Sequence, residues 1–590
     1  MIALSTLDII IIVLYMVMVM GIGLFLRESG SKNLKAFFLG GRNMPWWLAG
    51  ISLVATTFAA DTPLAITELV NKNGVAGNWL WWNFLAGGML TTFFFSKLWW
   101  KANILTDLEL VELRYTGKPA AFLRGFKAIY LGIFMNALVI GWVNVALISI
   151  LQVFFNIPAS ESLIYVALAM LITAIYTSVS GLLGVAVTDF VQFIIAMGGT
   201  TVLAFYVMDS PEIGGVAGLK EKLPAWSLSF FPEIKFGVSD TPIQDFAGTF
   251  TISVGAFFAY ISMQWWSSWY PGADPGGGGY VAQRMMSTKN EQHAIAATLF
   301  FQIAHYCLRP WPWILVGLAV IILYPDLPLE DKKLGYVMAM RDFLPSGIRG
   351  LLVTAFLAAY MSTISSQLNW GASYIVNDFY KRFINPEANQ KRLIWVARVA
   401  TLMVMVVALI ITPMITSIES VWRFMIECGA GLGLVLILRW FWWRINVWSE
   451  ITATLVPFIG YGVSKFILGW EFPNTFFLTV GLTTVSWIIV TLATPPVAME
   501  VLIAFYKRVT PNGYWEPVRD AADLPPPETN TWTLVLCWIS SVTMIYGFLF
   551  LIGYVIFSEW NKAFLMMSVV SGSFVILAYN ARKIRIFEKD

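Results

Sequence analysis

The chain has 590 residues, 58% of them hydrophobic and only 12% charged, with a mean hydropathy of +0.71. A soluble domain carries roughly 25% charged residues, so this composition excludes a soluble globular protein and indicates a chain that crosses a membrane many times. The net charge of +3 comes with no basic stripe and no zinc-ligand spacing, which excludes a nucleic-acid partner. Cys307, Cys428 and Cys537 each sit alone in an apolar run and form neither a disulfide framework nor a metal pattern.

Apolar runs of spanning length, about twenty residues each, begin near 7–26, 46–69, 76–100, 126–155, 161–180 and 184–208. They continue near 246–270, 293–324, 347–378, 393–416, 418–440, 449–468, 476–494, 531–557 and 562–581. The first run is too long for a signal-peptide core and lacks a clear cleavage site. The expectation is an all-α polytopic membrane protein with about 14–15 transmembrane helices. Arg27, Lys32, Lys35 and Arg42 follow the first run, and alternation puts Arg114, Lys127, Arg284, Lys381, Lys507, Arg508, Arg582, Lys583 and Arg585 on the same side. The positive-inside rule then sets the N-terminus outside and the C-terminus in the cytoplasm, in the plasma (inner) membrane. Segment 497–530, with Pro525, Pro526 and Pro527 in a row, reads as a cytoplasmic linker. Trp46, Trp47, Trp99 and Trp100 read as interfacial anchors.

Spans two to six and seven to eleven form two sets of five, and an odd number of spans inverts one set relative to the other. The first member of each set is interrupted. "ATTFAADTPLA" puts Asp61, Thr62 and Pro63 in mid-helix, and "MQWWSSWYPGADPGGGGY" runs from an aromatic helix into glycine and proline, including Pro271. Paired interruptions of this kind point to a transport site at the membrane midplane. The expected division is an extra helix and cytoplasmic loop at 1–43, a first inverted repeat at 44–208 and an external loop at 209–245. A second repeat follows at 246–442, then accessory helices at 443–590. Two further features stand out. "AAYMSTISSQ" places Ser362, Thr363, Ser365 and Ser366 in an otherwise apolar run, where hydroxyls need partners; bonding back to the preceding turn is one way to find them. Asp189 lies one turn into the sixth span, where an acid needs water, a base or a cation.

Four motifs in order name a family. "FFLGGRNMPWWLAGISLVATTFAAD" (37–61), "YTSVSGLLGVAVTDFVQ" (176–192), "YVAQRMMSTKN" (280–290) and "LAAYMSTISSQLNWGASYIVNDFYKRF" (357–383) resemble the sodium/solute symporter family, which holds the sodium–glucose and sodium–proline cotransporters. The resemblance implies a five-plus-five inverted-repeat (LeuT-like) core and solute uptake coupled to sodium. It also implies a first sodium site from the carbonyls of Ala55, Phe58 and Ala359 and the hydroxyls of Ser362 and Thr363. Residues 359, 362 and 363 share one helix face, and oxygen ligands suit a hard cation. A second site matches Asp189, Ser362, Ser365 and Ser366, so the expectation is one or two Na+ per cycle. No organic cofactor and no obligate protein partner are implied.

By the same fold the solute lies between the broken helices and their neighbours. The candidates are Thr57, Asp61 and Thr62; Trp81 and Asn83; Asn136; Gln264 and Trp265; and Tyr306 and Arg309. Arg309 either meets an anionic solute group or pairs with Glu427 or Asp61, and Arg423 and Glu427 stand at i, i+4. Sugar-transporting members have a Tyr-Glu pair where this chain has Leu80 and Trp81, and an Asn-Gln pair where it has glycines 276–279. Amides and indoles remain, which suit a sugar ring or another small polar solute. A sugar or sugar-like solute is favoured; a proline-like amino acid or a small carboxylate is the alternative. A channel or solute sensor on the same fold is a further reading. An enzyme is excluded by the lack of HExxH or GxSxG signatures.

Overall fold

The computed structural model describes residues 4–25, 33–235, 243–244, 250–253, 258–270, 272–328, 331–415 and 417–584. Arg27, Lys32, Pro271 and Arg585 lie outside these. The described chain is helical apart from three short strands, Glu233–Lys235, Ile243–Gln244 and Phe250–Ser253. The third strand pairs parallel with the first and antiparallel with the second. Among the described residues eight helices are long and apolar enough to cross a membrane, and ten if two sharply bent pairs each count as one span. Helices dominate because hydrocarbon offers backbone groups no other partner.

The first bent pair is Trp46–Thr57 with Asp61–Asn73, turned by 54°. The expected break is therefore present, at 58–60. The spans expected at 161–180 and 184–208 are two helices within Ala159–Met208 that meet at a kink at Gly181, whose φ of 63° is a positive value natural to glycine. The seventh span differs from expectation. Among the described residues it is a strand at Phe250–Ser253, helical from Phe258 through Ser267, non-helical over 268–270 and 272–278, and helical again at Gly279–Met286. The glycine run explains the interruption: Gly276, Gly277 and Gly279 all have positive φ, and a Cβ on Gly276 would stand 2.8 Å from the Leu436 carbonyl oxygen. Trp99 locks this loop by donating its indole N–H to the Gly276 carbonyl at 2.9 Å. It is fully buried, so it is not the interfacial anchor expected, whereas Trp46 and Trp47 are exposed. A second bent pair, Ile418–Cys428 with Leu432–Phe441, turns by 52° around Gly431 (φ 94°) and was not expected.

The hydroxyl-rich run lies on Ile348–Ser373, which is buried along nearly its whole length. Its N-terminus receives the Asp8 carboxylate, which accepts the N–H groups of Gly347 and Gly350, each at 2.7 Å. An acid at the positive end of a helix is favourable, and this contact fastens the N-terminal helix Thr6–Phe25 to the core. The expected linker at 497–530 is more ordered than its prolines suggest. It holds the helix Met499–Val509, whose Leu502, Phe505, Tyr506 and Val509 are buried, and Trp515 packs on Phe505. All three cysteines are free and buried.

Several basic residues read as cytoplasmic loop charges are internal cross-links. Glu450, fully buried on an accessory helix, accepts from Lys127, from Arg439 at 3.1 Å and from Tyr115 at 3.0 Å. Lys127 belongs to the expected first repeat and Arg439 to the second, so one carboxylate joins both to the accessory helices. Glu450→Ala leaves two buried cations facing each other. We expect it to destabilise the protein by about 3 kcal/mol or more, read as a lowered midpoint of thermal unfolding in detergent. Breaking the exposed Lys562–Glu559 pair with Glu559→Ala should change stability by less than about 1 kcal/mol.

Candidate functional site

The first core helix ends where its own sequence stops supporting it. Beyond Thr57, Phe58 takes φ −91° and ψ 72°, and its N–H is shared between the carbonyls of Val54 at 2.8 Å and Ala55 at 3.1 Å. The helix restarts at Asp61. The last carbonyls of the broken segment therefore lack their usual i+4 donors. Ile348–Ser373 packs against this end. Thr363 donates its hydroxyl to the Thr56 carbonyl at 3.1 Å, and the Thr56 and Ser366 hydroxyls meet at 3.0 Å. Ala55, Phe58 and Ala359 are all buried at this junction.

Ser362 turns toward Asp189 instead, donating to Oδ1 at 2.5 Å, while Ser52 donates to Oδ2 at 2.6 Å. Ser365 bonds back to the Ser362 carbonyl at 2.9 Å, the turn-satisfying alternative. Ser366 accepts from Arg284 at 2.6 Å. Sequence reasoning treated Arg284 only as a cytoplasmic charge, yet it is fully buried. Its guanidinium also reaches Gln283 at 2.8 Å, and Ser52 and Thr56 at 3.4 Å each. Asp189 thus has two serine donors, and a cation stands one hydroxyl away. The available signal was its position: Arg284 follows an unwound stretch and enters a helix, Gly279–Met286, that is buried throughout.

Beside the junction is a cavity of about 110 Å³, several times the space one water requires. Thr57, Asp61, Thr62, Trp81 and Tyr306 line it, as expected of solute candidates, and Thr56 and Thr363 line it too. Thr363, one of the expected ion ligands, therefore belongs to the cavity wall. Aromatic faces make much of the rest: Trp81 stacks on Tyr306 (5.6 Å), and Tyr270 stacks between Phe84 (5.4 Å) and Trp142 (6.4 Å). Sequence reasoning missed Gln302 and Gln367, two amides in the wall. Asp61 Oδ1 and Gln367 Oε1 are buried and make no hydrogen bond.

Five candidates lie outside the wall. The side-chain amide of Asn83 donates to the Trp79 and Leu80 carbonyls, that of Gln264 to the Leu80 carbonyl, and that of Asn136 to the Gln367 carbonyl. Trp265 packs on Trp538. Arg309 pairs with neither Glu427 nor Asp61 among the described contacts. It donates to the Thr57 carbonyl at 2.7 Å and the Thr57 hydroxyl at 2.8 Å, with Phe58 and Trp313 against its face. It caps the broken helix, because a cation is favoured at a helix C-terminus. Arg423 pairs with Glu419 at 2.8 Å rather than with Glu427.

The family model for the sodium:solute symporter family matches residues 37–456. A sodium/glucose cotransporter of Vibrio parahaemolyticus is 26% identical over 483 residues, covering 77% of this chain and 84% of that protein. Sodium/glucose cotransporter 1 of Oryctolagus cuniculus is 26% identical over 497 residues, 78% of this chain and 72% of the relative. Sodium/myo-inositol cotransporter 2 of Homo sapiens is 24% identical over 495 residues, 77% and 69%. The solved outward-open structure of a Na+-coupled sialic acid symporter superposes with a TM-score of 0.64 at 19% identity, over 84% of this chain and 99% of that one. That likeness shows the fold, an inverted-repeat symporter core. The family match runs from residue 37, before the first broken helix, to residue 456, within Val447–Gly462: this integral membrane protein belongs to the sodium:solute symporter family.

Proposed function

We propose that this protein imports a small polar, sugar-like solute together with sodium by alternating access. The observation that carries the reading is the shared wall. Thr363 bonds the unwound end of the first core helix, and both Thr363 and Thr56 face the cavity. An ion bound by the carbonyls of Ala55, Phe58 and Ala359 and the hydroxyls of Ser362 and Thr363 would tie Trp46–Thr57 to Ile348–Ser373. That tie fixes one side of the solute cavity, so ion and solute favour the same arrangement of the two helices. We take 44–208 and 246–442 as the two repeats that move against each other. The N-terminus is assigned outside and the C-terminus to the cytoplasm, on the side of most basic connections. Sodium entering down a potential gains about 2.3 kcal/mol per ion per 100 mV.

We assign one sodium ion per solute, at the first site. The second set, Asp189, Ser362, Ser365 and Ser366, already has positive charge beside it in Arg284, and Ser365 is turned away. Asp189 then acts by orienting the Ser362 hydroxyl. Solute-stimulated sodium dependence of uptake should follow a Hill slope of about 1. A slope approaching two, lowered by Asp189→Ala, would establish the two-ion alternative.

The double substitution Ser362→Ala, Thr363→Ala removes two ligands and should abolish sodium-dependent uptake into proteoliposomes while the protein still folds, as judged by its elution in detergent. Uptake that persists when sodium is replaced by choline would refute sodium coupling. Uptake that dissipates no gradient and never exceeds equilibrium would favour a channel.

A further inference from the structure

The charge of the solute can be read from the cavity wall. Among the described wall residues the one formal charge is the carboxylate of Asp61. Asp61 is 2% exposed, and its Oδ1 makes no hydrogen bond. It is the first residue of Asp61–Asn73, where the positive end of the helix favours an ionised acid. Gln367 Oε1 is a second orphaned buried acceptor of the wall, and the Trp422 indole N–H is an orphaned donor beside them.

The nearby base is committed elsewhere. Arg309 is outside the wall: its two terminal nitrogens go to the Thr57 hydroxyl and carbonyl, its Nε makes no hydrogen bond, and it sits over the Phe58 and Trp313 rings. His305 does line the cavity, but its Nδ1 lies 2.7 Å from an Arg309 nitrogen that carries only protons, so that nitrogen is the acceptor and the ring is neutral. A buried charge without a counter-charge is unfavourable, and among the described wall residues none carries a positive charge, Trp142 offering Asp61 only its indole N–H.

The rings complete the picture. Trp81, Tyr306, Tyr270, Trp142 and Phe84 line the same space as Asp61, in two stacked groups. Such rings attract a cation held out of water. Donors therefore have two unfilled acceptors to meet, and a positive charge has both a counter-ion and an aromatic surround. An anionic group would meet Asp61 with no compensating base.

We propose that the solute carries a protonated amine that pairs with Asp61: an amino sugar or an amino polyol of similar size, rather than a neutral or acidic sugar. This rests on the sugar-like symport reading above and narrows it.

The test uses full-length protein in proteoliposomes with an inward sodium gradient and three labelled probes: glucosamine, glucose and glucuronate. Glucosamine uptake should depend on sodium and exceed glucose uptake at least about tenfold, the discrimination expected of one charge-assisted bond. Glucuronate should not enter. Asp61→Asn should collapse the glucosamine-to-glucose ratio, and Asp61→Glu should restore most of it, an effect that loss of folding would not produce. Sodium-dependent uptake in which glucose or glucuronate equals glucosamine would overturn the amine assignment and leave the symport reading standing. An Asp61→Asn variant that keeps the wild-type ratio would do the same. No sodium-dependent uptake of any of the three would overturn the sugar-like reading itself, and the amine assignment with it.

Discussion

The structure turns on a helix that stops inside a membrane. Between Thr57 and Asp61 the first core helix gives up its hydrogen bonds, and in hydrocarbon no water replaces them. Every neighbouring feature answers that deficit. The Arg309 guanidinium takes the Thr57 carbonyl, and the Thr363 hydroxyl takes that of Thr56. The bend of 54° aims the restarted helix so that Asp61 faces the cavity. An unwound segment is tolerated only where protein or a cavity surrounds it, and here both do.

Arginine serves this core as a fixed cation twice over. Arg309 caps the broken helix from the helix Pro310–Leu323 side, and Arg284 fastens Gly279–Met286 to the hydroxyl-bearing helix through Ser366. A guanidinium suits both places because its planar fork serves several oxygens at once and it stays charged when buried. The Lys127–Glu450–Arg439 cluster does similar work toward the accessory helices. The interior is thus braced by ionic contacts that reach between elements far apart in the chain, where apolar packing alone gives little preference for one neighbour over another.

Much of this was legible in the sequence, and for identifiable reasons. The break was readable because Asp61, Thr62 and Pro63 interrupt an apolar run, and the second because four glycines follow a proline. The hydroxyl run was readable because polar residues at membrane depth need partners. What failed was the sorting of amides and bases. Asn83 and Gln264 look like solute ligands in sequence, but carbonyls of nearby turns satisfy them. Gln302 and Gln367 have the same chemistry and face the cavity. The difference is set by which neighbour covers each helix face, which local sequence does not encode. Charge position misled likewise: Arg284 and Lys127 stand in basic connections by sequence and are buried in space. The seventh span was placed too early because an apolar run at 246–270 resembles a helix, while Phe250–Ser253 pairs as a strand.

Coupling follows from where the two sites touch. If ion and solute sat in separate compartments, each would bind without regard to the other, and no gradient could be used. Here Thr363 belongs to both: its hydroxyl bonds the unwound carbonyl end and its side chain lines the cavity. At the proposed site, an ion shared among five oxygens would replace that bond and change the spacing of two helices that both contribute to the cavity wall. A ligand can shift a conformational equilibrium only by its difference in affinity for the two states. With sodium at the proposed site, both sodium and solute would acquire such a difference from the same pair of helices, and each would raise the other's affinity by the same factor. The broken helix is therefore more than a source of carbonyls: because it is held by replaceable side-chain contacts rather than by its own backbone ladder, it is the part of the core whose position an ion can set.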